Sequence, residues 1–223
     1  MNKTLLQASI IAAFLSTSSA WAQQTDGNWM VRVRALHLEP ANKSDAGNGQ
    51  SGITSTVLPS DAISVNNKWI PEVDVSYFFT KNIAAELVLT VPQKQDVTIT
   101  KGPLAGTKAG TFKHLPPSLL LQYHFMPDAT FRPYVGAGVN YTRISSVHLD
   151  GLNAVTGTSS DLEHSSWGAA LQAGFDVKLD AHSYINFDVK KVYIKADLKV
   201  GGNTVSTVNV DPILWGVGYG YRF

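Results

Sequence analysis

From Trp29 to its C terminus the chain alternates large apolar residues with small or polar ones at a period of two, the spacing of strands whose two faces meet different surroundings. The stretch Asp211 to Phe223 shows the pattern best. Ile213, Trp215, Val217, Tyr219, Tyr221 and Phe223 share one face, and Leu214, Gly216, Gly218, Gly220 and Arg222 share the other. Aromatic residues at the ends of an apolar face describe a strand that meets lipid, with its rings at the headgroup level.

A membrane location needs an export route, and the N terminus supplies one. Lys3, an apolar run from Leu5 to Leu15 and the small-x-small stretch Ala20-Trp-Ala22 make residues 1–22 a signal peptide, cleaved after Ala22. That run is too short to span a bilayer, and no later segment approaches the ~20 apolar residues a spanning helix needs. A closed barrel is the remaining way to cross. Residues 23–223 are therefore expected to form one outer-membrane β-barrel. There is no cysteine, so the exported chain needs no disulfide. Without Lys3, the 18 Lys and Arg residues fall to parity with the 17 Asp and Glu, which argues against a nucleic-acid partner.

In order, strands are expected over Trp29–Leu38, Trp69–Phe79, Ile83–Val91, Ser118–Phe125, Tyr134–Tyr141, Trp167–Lys178, Ile185–Tyr193 and Ile213–Phe223. Short turns fall at 80–82, 127–128 and 180–182. Long loops are expected over Ala41–Ser60, Gln93–Gly110 and Leu149–His164, with a last one centred on Gly201-Gly202-Asn203. Short and long connections alternate, so all three short turns lie on the side of the termini. The fold class is all-β: an eight-stranded antiparallel transmembrane β-barrel with short periplasmic turns and long extracellular loops. A lipocalin-like barrel also has eight strands, but its lipophilic face points inward.

Oriented by its turns, the lumen divides into two zones. Glu72, Asp74, Glu86, Arg132, Asp176, Lys178, Asp188 and Arg222 point inward near the turns and are expected to form a polar floor. Ile70, Val88, Pro92, Leu120, Val192, Ile194 and Leu214 lie further out as an apolar path. Interdigitated charges would plug so narrow a barrel, because removing one partner of a buried pair costs ~3–5 kcal/mol. Each single charge also has a plainer reading as structural core. The inward glycines, Gly216, Gly218 and Gly220 with Gly136, Gly138, Gly168 and Gly174, are expected to leave what space the lumen has.

Prolines suggest an exit. Pro71, Pro92 and the pair Pro116-Pro117 each lie about nine residues from a short turn, roughly 23 Å up at ~3.3 Å per residue and a ~40° tilt. Each removes a ladder donor. They mark either a weak place in the wall through which an apolar solute leaves sideways, or simple strand ends at the rim. Lys191 falls on the lipid-facing phase, where it must snorkel to the interface or be shifted by a bulge between Val189 and Tyr193.

Several stretches resemble the outer-membrane protein W family: His114-Leu-Pro-Pro-Ser118, Phe131-Arg-Pro-Tyr-Val-Gly-Ala-Gly-Val-Asn-Tyr-Thr142, Ser166-Trp-Gly-Ala-Ala170, Asp211-Pro212 and Gly220-Tyr-Arg-Phe223. The resemblance spans the mature chain and implies an eight-stranded barrel with a narrow lumen that passes small hydrophobic molecules, akin to alkane-uptake barrels. The loops match poorly, and Lys190-Lys191 stands where some relatives carry apolar residues. Tyr219, Tyr221 and Phe223 resemble the C-terminal signal read by the barrel assembly machinery.

The expected partners are therefore outer-membrane lipid, small hydrophobic solutes and that machinery, in the bacterial outer membrane. The alternative is a structural or recognition barrel, an adhesin or a phage or toxin receptor, without transport. Catalysis is not expected: His114 and Ser118 share a strand face but lie about 13 Å apart along it. No cofactor or metal is expected either, although His148 and His164 lie near Asp150, Asp161 and Glu163.

Overall fold

The computed structural model describes residues 27–223; the signal-peptide expectation and its cleavage point lie outside them. Eight strands close on themselves: β1 (Trp29–Glu39), β4 (Lys68–Phe78), β5 (Ile83–Thr90), β8 (Ser118–His124), β9 (Phe131–His148), β11 (Ser165–Lys178), β12 (Ser183–Val192) and β15 (Ile213–Arg222). Each pairs antiparallel with the next. The ring closes where β15 meets β1, from Met30↔Arg222 to Glu39↔Ile213. This is the expected eight-stranded barrel. Closure gives every barrel strand a partner on both sides, and that allows backbone to cross lipid. Among the described residues no helix is long and apolar enough to cross a membrane.

The alternation sorts the faces as expected. Val33, Leu87, Leu121, Val139, Leu171 and Val217 are exposed around the waist. Trp29, Tyr77, Phe79, Tyr123, Phe125, Phe131, Tyr219, Tyr221 and Phe223 ring the end that carries the short turns. Trp69, Tyr141, Trp167, Tyr193 and Trp215 mark the other. An apolar band between two aromatic girdles is the outer surface of a membrane barrel.

The long connections are not loops. Beyond the outer girdle, β6 (Gln93–Ile99) and β7 (Lys108–Leu115) form a hairpin that pairs with β9 on one side and with β3 (Ile63–Val65) on the other. A second sheet joins β10 (Ser160–Leu162), β13 (Lys195–Val200), β14 (Asn203–Asn209) and β2 (Lys43–Ser44), and a short helix α1 (Asp150–Thr156) packs beside β7. These elements form a cap over the outer mouth of the barrel. Its interior continues the apolar lumen as one cluster, running from Leu36 and Leu38 up to Ile99, Leu152 and Val205.

The inward glycines do not leave open space. A Cβ on Gly218 would sit 2.2 Å from the Val33 carbonyl oxygen and 2.7 Å from Arg34 Cγ; one on Gly216 would sit 2.5 Å from Leu36 Cδ2. The β15 glycines make room for the β1 side chains, which fill the volume the glycines vacate.

Candidate functional site

The middle of the lumen is a closed ionic layer built from the inner faces of six strands. β1 sends in Arg32 and Arg34; β4 sends Glu72 and Asp74; Glu86 comes from β5, Tyr134 from β9, Gln172 and Asp176 from β11, and Asp188 and Lys190 from β12. The Arg32 guanidinium donates to both Asp176 oxygens (2.7 and 3.2 Å) and to Glu86 Oε2 (2.8 Å). Arg34 meets Asp74 at 2.9 Å, Asp188 at 3.0 Å, Glu86 at 3.2 Å and Glu72 at 3.5 Å. Lys190 Nζ closes the ring on Asp188 (2.6 Å) and Glu72 (2.7 Å). Neutral donors add to the network: Gln172 Nε2 donates to Glu86 (2.8 Å) and Asp188 (2.7 Å), and the Tyr134 hydroxyl donates to Asp188 (3.1 Å), while Asp74 is held by its ion pair with Arg34 and accepts no hydrogen bond. Charges this deep persist only when paired and hydrogen-bonded.

Five of the predicted floor residues, Glu72, Asp74, Glu86, Asp176 and Asp188, meet in this layer. The other three lie elsewhere. Arg132 and Arg222 sit at the periplasmic end, where Arg132 donates to Tyr184 Oη (3.0 Å) and Arg222 donates to the Gly27 carbonyl (2.6 Å) and lies 3.8 Å over the Phe78 ring. Lys178 is half-buried at the rim. Arg32, Arg34 and Lys190 supply all the positive charge of the layer yet stood outside the predicted floor. The alternation of β1 and β12 placed them inward, but which carboxylates they would meet depends on partners up to 144 residues away.

Above the layer the lumen is apolar. Ile70, Val88, Leu120, Val192, Ile194 and Leu214 are buried together with Leu36, Leu38 and Ala170. Pro92 is not among them: it is exposed, contrary to the expectation that it lines the path. β5 ends at Thr90, and the buried positions resume at Gln93, Gln95 and Val97, so the inward phase slips by one residue across Val91-Pro92. A residue with no N–H cannot carry the ladder through, and the strand restarts on the far side of it. Higher still, Ile53, Leu58, Ile99, Leu149, Leu198 and Val208 are among the side chains that enclose an all-apolar cavity of about 30 Å³ inside the cap. A cavity with such a lining stays dry.

All four singled-out prolines flank one break in the wall. The β4–β5 ladder stops at Glu72↔Thr90 and the β5–β8 ladder at Val88↔Ser118; beyond these pairs none joins the same strands among the described residues. Pro71 precedes Glu72, Pro92 follows two residues after Thr90, and Pro116-Pro117 immediately precede Ser118. Side chains replace the lost ladder donors on the inner side, as buried carbonyls require. Asn140 Nδ2 donates to the Pro116 and Pro117 carbonyls (3.1 and 3.0 Å), and Gln93 Nε2 donates to the Val91 carbonyl (2.9 Å). Lys68 reaches across from β4, its Nζ 3.0 Å from the Lys94 carbonyl on β6. Asn140 and Gln93 were not singled out by sequence, since no local pattern says which carbonyls a distant proline will orphan.

Lys191 stays in the outward phase with no bulge, because its register against Leu171 runs unbroken to Val189↔Ala173. It snorkels, hydrogen-bonding the Asp211 carbonyl and lying 5.9 Å from the Tyr193 ring. His164 lies at the exposed surface, 3.6 Å from Asp161. His114 is buried in β7 beside Gln95, 3.2 Å away.

The family profile described as "OmpW family" matches residues 25–223. The chain belongs to the OmpW family. It is 38% identical over 222 residues to the outer-membrane protein y4mB of Sinorhizobium fredii, covering 95% of this chain and 90% of that protein. It is 31% identical to outer membrane protein W of Vibrio cholerae over the full length of both. Among solved structures, outer membrane protein OprG of Pseudomonas aeruginosa superposes with a TM-score of 0.74 at 28% identity, covering 89% of this chain and 96% of that one. These relatives are outer-membrane proteins, and this OmpW-family chain resides in the bacterial outer membrane in contact with its lipid.

Proposed function

We propose that the barrel passes small hydrophobic molecules from outside into the apolar cap and upper lumen, and that they leave sideways into the membrane at the break beside Pro71, Pro92, Pro116 and Pro117. The observation that carries this reading is the ionic layer beneath an apolar lumen. An apolar solute that reaches Leu36, Val88 and Leu214 meets five carboxylates and three cations bound into one network, and parting them would cost several kcal/mol. The wall offers less resistance, since its ladder is already interrupted there.

A relative that is 25% identical over 94% of this chain, from Pseudomonas aeruginosa, is named for a dibenzothiophene metabolism operon, which fits a flat apolar cargo. The resting cavity is smaller than any such molecule, so loading requires the cap to part. Tyr219, Tyr221 and Phe223, exposed at the periplasmic end of β15, are read as the segment by which the assembly machinery takes up the chain.

The test is uptake of a hydrophobic reporter by intact cells carrying the wild-type barrel or Pro92→Ala at matched barrel level. Reduced barrel-dependent uptake in the variant is expected. Unchanged uptake would end the lateral-exit reading, and no barrel-dependent uptake at all would leave a recognition or structural barrel instead.

A further inference from the structure

The outer wall carries a row of cations just above the outer aromatic girdle. Lys94, Lys113 and Arg143 stand exposed on three neighbouring strands, β6, β7 and β9. Lys94 and Lys113 face each other directly across the ladder. Arg143 pairs with Leu115, which makes Lys113, two residues on, its diagonal neighbour. Like charges directly opposite in a sheet repel. No ion pair relieves these three among the described residues, whereas Lys43 on the cap is paired with Asp61 at 3.0 Å. Lys68 brings a fourth ammonium to the Lys94 backbone. The carboxylate on this face, Asp96, stands two residues beyond Lys94, away from the membrane.

The position of the row says what should neutralise it. One step below Arg143 on the same face, Tyr141 packs on Trp167 with ring centroids 4.9 Å apart, and Trp167 is 74% exposed. Amphipathic rings of this kind lie at the headgroup level. Below them, Leu119 and Val139 begin the lipid-facing belt. A ligand seated here would have its anionic groups on the cations and its acyl chains on the belt.

We propose that Lys94, Lys113 and Arg143 form a binding site for the phosphate groups of the outer-leaflet glycolipid, docked on the outer wall against the β6–β7 hairpin. The site faces away from the lumen and does not depend on what the barrel carries. Multiple cations in one row suit a molecule with more than one phosphate, and Arg143 can meet a phosphate with two parallel donors.

The experiment uses the refolded full chain in phosphatidylcholine nanodiscs titrated with a fluorescent bisphosphorylated lipid A, beside its dephosphorylated form. The combined variant Lys94→Gln, Lys113→Gln and Arg143→Gln should bind the bisphosphorylated lipid at least about tenfold more weakly, and Lys43→Gln should match wild type. Wild-type binding should fall as salt rises from about 50 to about 500 mM. The dephosphorylated lipid should bind weakly and equally to both. Barrel integrity is read from heat-modifiable migration in electrophoresis, and Lys113→Gln alone should give a loss of roughly threefold if the combined variant fails to fold. Equal affinity of wild type and Lys113→Gln, equal binding of the dephosphorylated lipid, or displacement by millimolar inorganic phosphate would each overturn the assignment.

Discussion

Arg34 touches four carboxylates, and the ionic layer depends on it more than on any other side chain. Replacing it with leucine leaves Glu72, Asp74, Glu86 and Asp188 facing one another without their shared guanidinium. Equilibrium urea unfolding of the vesicle-inserted barrel is expected to lose at least ~3–5 kcal/mol. Lysine at the same position should recover only part, because a point charge cannot reach four carboxylates as a planar fork does. His114 acts in the cap. Burial, with Lys68 alongside, pushes its imidazole from the ordinary 6.5 down to about 4. Between those values the unfolded ring binds a proton that the folded one refuses, so its contribution is complete above about 6.5 and is lost as the pH falls towards 4. Hydrogen-exchange protection of the β6–β7 amides should therefore drop between pH 7 and pH 4.5 in wild type and much less in His114→Gln. Alternation along β1 puts Arg34 on the inner phase. The partners of Arg34 were not legible, since they come from strands as far away as β12, whereas His114 meets Gln95 on the other strand of its own hairpin.

Strand by strand, the barrel was legible and the cap was not. A barrel strand meets lipid on one face, so its outward positions are large and apolar and the alternation stands out, as from Trp69 to Phe79. The cap strands meet water on that face. β6 and β13 alternate Lys94, Asp96 and Lys195, Asp197 against a modest inner set, and with glycine at their turns they read as loops. Pro92 shows a second limit: periodicity carried across a proline gave the wrong phase, because the proline ends one strand and the next begins its own count. The β15 glycines show a third. Sequence told that they face inward, but only the β1 register, Arg34↔Gly218 and Leu36↔Gly216, tells that the space is taken. Gly218→Val drives a branched side chain into the Val33 carbonyl and Arg34, and should lower barrel stability by ~1–3 kcal/mol or block refolding. Val217→Leu on the lipid face of the same strand should change it by less than ~0.5 kcal/mol.

Viewed whole, the molecule stacks two media on one axis. A greasy cap and upper lumen sit over a closely paired ionic layer, and the wall is interrupted at the height where the first gives way to the second. The division into an apolar path and a polar floor was readable from inward residues sorted by distance from the turns, and so was the clustering of prolines in three successive strands. The enclosed cavity was not, because its lining comes from segments read as loops, among them Ile53, Leu104 and Val205. If the upper lumen is a route for apolar solutes, a heavy-atom-labelled solute should be found in it. The direct measurement is a crystal structure of the barrel soaked with a bromoalkane, read by bromine anomalous scattering. The account predicts signal inside the barrel, among Leu36, Val88, Leu120 and Leu214 or in the cap cavity, and none at the level of Arg32 and Arg34. Signal confined to the outer lipid-facing belt, with the upper lumen empty, would contradict it.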